Sequence, residues 1–215
     1  MKTSNFDIIS KFLDFSDPGK FYLALVVRRR KDNPEMDRSE QIIKNYMIPS
    51  MDKLERIRPE METLCKTFNA RLYLYINRRS FKNTQKAMLK TLCDQICSDS
   101  VSNLNHLFDS CAAAHGCGDR HWIIDVDLPK TDDIESKCMV AEHLKRKIGE
   151  YLIDIEPIGD KVELVLGTKN GFHIVTKPFD TRKFQDMVHV LDLHNGMEIE
   201  LKKDAMVNLM YPSQD

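Results

Sequence analysis

The chain has 215 residues, 42% of them hydrophobic and 30% charged, with 8 glycines and 8 prolines, which is the composition of a soluble globular protein with one large domain or two small ones. Lysine plus arginine (32) nearly balances aspartate plus glutamate (33), so no global field draws the chain to nucleic acid and any basic surface must be local. No stretch reads as a membrane span or a signal peptide, and the expected compartment is the cytoplasm.

At the start, Phe6, Ile9, Phe12 and Leu13 share one helical face and predict a surface helix. "FYLALVVRRR" (21–30) is an apolar β-type run that ends in the basic cluster Arg28, Arg29, Arg30 and Lys31. A polar connection follows, then helical patterns through about residue 68, interrupted near Pro49. "RLYLYINRRS" (71–80) alternates as a strand, and two helical segments run to Gly116. Beyond this point the order is β-α-β-β-α-β. Strand "WIIDVD" leads to a helix that Asp132 or Asp133 can cap. Strands "KVELVLGT" and "FHIVTKP" form a hairpin with Asn170-Gly171 as its tight turn, "DTRKFQDMVHVL" is a short helix, and two strand-like pieces close the chain. This order is that of a ferredoxin-like split β-α-β sheet. The expected fold is therefore α+β, one domain in which an N-terminal αβ layer (1–116) accompanies a ferredoxin/RRM-like half (117–215).

Six cysteines follow no regular framework, and in a cytoplasmic protein they read as reduced thiols. Zinc at Cys93, Cys97, Cys111 and Cys117 stays open, although the spacings are not the tight pairs of common zinc modules.

Three stretches can carry chemistry. In "HWIIDVDLPK", Asp125 and Asp127 project to one face of a strand while Ile124 and Val126 enter the core. Two such carboxylates repel, and a divalent cation serving both removes the penalty, which suits Mg2+ or Mn2+ completed by substrate phosphates. A solvated strand end is the plainer reading. In "GTKNGFHIVTKP", Thr168, Lys169 and His173 gather a hydroxyl, an ammonium and an imidazole at one hairpin, a set that can hold a polyphosphate. The alternative is a histidine satisfied within the core. In "GMEIELKKDAMVNLMYPS", Glu198 and Glu200 share a strand face, and one of them can join the aspartates if the strands are neighbours.

Taken together, "IIDVD", "TKNGFH" and an acid on a late strand resemble the archaeo-eukaryotic primase superfamily. The resemblance covers roughly residues 120–213. It implies that Asp125, Asp127 and Glu198 hold catalytic Mg2+ or Mn2+, with Glu200 and Asp192 as alternatives for the third acid. It implies also that His173, with Lys169 and Thr168 nearby, contacts the incoming nucleotide's phosphates. Where the family carries an arginine in its last run, this chain has Asn208.

The implied function is template-dependent nucleotidyl transfer, as a primase or primase-polymerase acting on nucleoside triphosphates and a single-stranded template, alongside a replicative helicase or polymerase. Arg78, Arg79 and the 28–31 cluster are candidates for template phosphates. Two other readings use the same residues. One is a different metal-dependent phosphotransfer enzyme such as a nuclease, and the other is a non-catalytic accessory protein that binds nucleic acid or a replication partner.

Overall fold

A computed structural model describes residues 3–100, 106–116, 118–129, 134–195 and 197–211. Among them the chain is α+β, with six helices and two antiparallel sheets. It divides into two compact units, one made of residues 1–119 and 208–215, the other of 120–207.

The first unit is built on β2 (Lys20–Arg29), whose residues from Phe21 to Val27 are all buried. It pairs with β3 (Glu40–Ile48), β4 (Arg71–Tyr75) and the short β5 (Arg79–Ser80). The sheet order is β1-β10-β4-β2-β3, where β1 is Thr3–Ser4 and β10 is Met206–Tyr211. The first and last described strands thus lie in one sheet, with Thr3 opposite Tyr211. The N-terminal helix α1 (Phe6–Phe12) buries Phe6 and Ile9, as its periodicity predicts.

Helix α2 (Met51–Thr67) starts where the Ser50 hydroxyl accepts from the Lys53 N–H, and it buries Leu54, Ile57, Met61 and Cys65 at helical spacing. Helix α3 (Phe81–Cys97) is capped in the same way by Ser80, and α4 (Leu107–Ala114) packs against it. Segment 40–48 departs from expectation. Its apolar residues suggest a helix, but the segment is an edge strand whose Tyr46 and Ile48 alternate into the core. Pairing with the buried β2 outweighs the local pattern there.

The second unit runs β6 (Trp122–Asp127), α5 (Ile134–Ile153), β7 (Val162–Gly167), β8 (Gly171–Thr176), α6 (Thr181–Asn195) and β9 (Glu198–Lys202). Its sheet order is β7-β8-β6-β9, so each β-α-β connection steps over an intervening strand. One sheet face packs Ile124, Val126, Phe172 and Ile174 against Leu144, Ile148 and Leu152 of α5 and Phe184 of α6. The buried Lys161 ammonium donates to the carbonyls of Leu152 and Gly159 at 2.6 and 2.8 Å, which satisfies the end of α5 with a positive charge. The proposed caps Asp132 and Asp133 lie outside the described residues.

The hairpin between β7 and β8 forms, but not through an Asn170-Gly171 two-residue turn. The connection is Thr168 to Asn170, and neither Asn170 nor Gly171 has positive φ. The Thr168 N–H donates to the Gly171 carbonyl (2.9 Å), and the Gly171 N–H donates to the Thr168 hydroxyl (3.0 Å). Glycine is required at 171 for a different reason. A Cβ there would lie 1.8 Å from the Val126 carbonyl oxygen of β6.

Candidate active site

Register on the central strand β6 sets the site. Asp125 lies opposite His173 of β8 on one side and Glu200 of β9 on the other. One step along, Asp127 lies opposite Gly171 and Glu198. Directly opposed residues project to the same face, so three separated segments supply four carboxylates and an imidazole to the sheet face turned away from the helices. Ile124 and Val126 alternate into the core, as the sequence predicts.

The two rows differ in their electrostatics. The Asp125 side chain is 21% exposed and that of His173 9%. The Asp125 carboxylate meets His173 Nε2 at 3.1 Å through Oδ1, and Lys202 Nζ at 2.7 Å through Oδ2. Burial alone would raise the Asp125 pKa. The hydrogen bond and charge of His173, followed by those of Lys202, outweigh it and hold the carboxyl well below the usual carboxylate range. Lys202 also reaches Glu200 at 3.0 Å. Burial would lower its pKa, but the two carboxylates raise it above the ordinary lysine value. Lys202 is a site residue that the sequence motifs do not single out, although it continues the alternation of Glu198 and Glu200 on β9.

In the second row, neither Asp127 nor Glu198 has an ion-pair partner among the described residues, and Glu198 is exposed. Lys169 is exposed at the hairpin, and Thr168 is half-buried with its hydroxyl accepting from Gly171. The buried Nδ1 of His173 has no hydrogen-bond partner among the described residues. The side chain of Asp192, on α6, lies outside them.

The donor chemistry fits a hard divalent cation, because paired carboxylates on neighbouring strands are what Mg2+ or Mn2+ accepts when phosphates and water complete the shell. Among the described residues no group of three or more His, Cys, Asp or Glu converges on one point. Asp125 and Glu200 instead converge on the Lys202 ammonium. Cys93 and Cys97 are exposed on α3, Cys111 is buried on α4, and Cys117 is outside the described residues.

Of the arginines named for template contact, Arg79 departs from the sequence expectation, and Arg78, Arg28 and Arg29 are ion-paired within the first unit. Arg79 is completely buried with its guanidinium 4.2 Å from the Tyr75 ring centre, which closes it to a phosphate. Arg78 is bound by Asp14 (2.6 Å) and Asp119 (2.6 Å). Arg28 pairs with Glu35, and Arg29 with Glu40 at 2.9 Å. Arg28, Arg29 and Arg78 thus each have a counterion within the fold.

No helix among the described residues is long and apolar enough to cross a membrane. The chain matches no protein-family model, no curated protein and no solved structure.

Proposed function

We propose that the chain is a metal-dependent, template-directed nucleotidyl transferase of the primase or primase-polymerase kind, with the ferredoxin/RRM-like half as its catalytic part. The reading is carried by one observation. Strand register aligns the acids of "IIDVD", the histidine of "TKNGFH" and the acids of "MEIEL" in adjacent rows on one sheet face. A solvated strand end needs no such convergence from three distant segments.

In this reading Asp125, Asp127 and Glu198 are the residues that hold Mg2+ or Mn2+. The cation, when bound, neutralises charge on the triphosphate and on the departing pyrophosphate. The chain's own groups do the rest. His173, held by Asp125 through Nε2, is the imidazole assigned to the phosphates, and Lys169 at the hairpin supplies an ammonium. Thr168 shapes the turn that carries both. Gly171 lets β8 approach β6 closely enough to keep His173 opposite Asp125.

The test is incubation of the protein with single-stranded DNA, Mn2+ or Mg2+ and labelled nucleotides, followed by a search for new or lengthened strands. Cleavage of the template without incorporation would instead assign a nuclease. Nucleic-acid binding with neither activity would assign an accessory role.

A further inference from the structure

Helix α3 carries its charges the wrong way round for its own stability. Helices α1 and α2 of the same unit each have an aspartate in the first turn and a lysine in the last, which suits the helix dipole. Helix α3 has no acid in its first turn, where Lys82 sits, and no base in its last, where Asp94 sits. Lys82, Lys86 and Lys90 recur every fourth residue, so they run along one side of the helix at steps of about 6 Å. All three are exposed, and none has an ion-pair partner among the described residues, unlike Arg28, Arg29 and Arg78. Lys86 and Lys90 also line an open groove of about 580 Å3 with Asn83, Thr91, Asp94 and His115, the residue that ends α4. All of these residues belong to the first unit. Lysines that oppose the dipole and lack a counterion do nothing for the fold, and departures of that kind mark functional surface.

We propose that this face of α3 binds the sugar-phosphate backbone of a single-stranded nucleic acid, the template of the transferase reading, on which the assignment rests. Three unpaired ammonium groups in a row match an anion that repeats along a chain, where one isolated phosphate would need only one or two of them. Asn83, Thr91 and His115 supply hydrogen-bond donors in the groove for phosphate and sugar oxygens. Asp94 is the one acid of the groove lining and marks the end of the basic track. A single strand fits better than a duplex because of Leu89, which is 65% exposed and three residues after Lys86, on the same side of the helix. Its apolar surface can meet unpaired bases, which a duplex keeps stacked inside.

The experiment is fluorescence anisotropy of a labelled oligothymidine titrated with the full chain at several KCl concentrations, without nucleoside triphosphate or divalent ion. The parent should bind, with log K falling linearly against log [KCl]. Lys82→Gln/Lys86→Gln/Lys90→Gln removes three phosphate contacts, so affinity at low salt should fall about tenfold or more and the slope become shallower by about 2. Arg38→Gln/Arg56→Gln/Lys66→Gln removes the same charge from exposed positions elsewhere in the first unit and should keep the parent's slope. If the α3 triple variant does not fold, each single lysine variant should take about 0.7 from the slope, and three unchanged slopes would overturn the proposal. It is overturned also by a folded triple variant that binds like the parent, by a control that loses as much, by a parent that does not bind at low salt, or by preference for a duplex of equal length. Incorporation of nucleotides by the parent alongside any of these results would keep the transferase reading and place its template elsewhere.

Discussion

At Asp125 a half-buried carboxylate stays charged because His173 and Lys202 reach it from the two neighbouring strands. Its folded pKa is depressed, so its contribution to stability is fully present above the unfolded carboxyl value, about 4. That contribution is lost as pH falls from there toward the folded pKa. Asp125→Asn should cost about 1–3 kcal/mol at neutral pH. It should also flatten the fall in stability between about pH 4 and the acid limit, read by urea unfolding at several pH values. His173→Ala should weaken binding of a nucleoside triphosphate more than of the nucleoside, as measured by titration calorimetry. Equal losses would make His173 only a support for the hairpin. The aspartate pair, His173 and the two glutamates are legible in the sequence because strand alternation alone puts them on faces. Lys202 carries the same signal at the next alternate position, but the first lysine of "KKD" looks like solvent charge until the neighbouring strand is known. Which glutamate serves which row depends on cross-strand register, which no local pattern contains.

Among the elements, β8 depends on one close approach. A methyl group at 171 would sit 1.8 Å from the Val126 carbonyl oxygen, so Gly171→Ala must push β8 away from β6. We expect a loss of about 1–3 kcal/mol or more in chemical denaturation, together with weaker nucleotide binding as His173 moves off Asp125. An unchanged midpoint would show that β8 shifts freely. In the first unit, Arg71 on β4 grips Asp32 with two hydrogen bonds of 2.6 and 2.8 Å, and both side chains are nearly buried. Arg71→Ala removes both of these charge-assisted hydrogen bonds and should cost about 1–3 kcal/mol, read from the shift in the urea midpoint. The strands of the second unit are readable from their alternation, whereas β3 is not. Ile42, Ile43, Tyr46 and Met47 mimic a helical face, and only pairing with β2, through a register shift at Val26/Val27, makes the segment extended.

Over the whole molecule, the last strand β10 belongs to the first sheet, between β1 and β4, and this closure links residues more than 200 apart in sequence. Such long-range pairing leaves no trace in composition, so the α+β class is within reach of sequence while the return of the last strand to the first sheet is not. Basic clusters mislead for a related reason, since Arg78 meets Asp14 and Asp119 only once distant segments are folded together. The reaction proposed for the aligned acids and histidine is template-directed nucleotidyl transfer. The most direct measurement is incorporation of labelled nucleotides on single-stranded DNA with Mn2+, comparing the parent with Asp127→Asn. The parent should lengthen or start strands, chelation of Mn2+ should stop it, and Asp127→Asn should reduce the rate by roughly a hundredfold or more while leaving the fold intact. A parent that incorporates nothing, or an Asp127→Asn variant as active as the parent, would contradict the account.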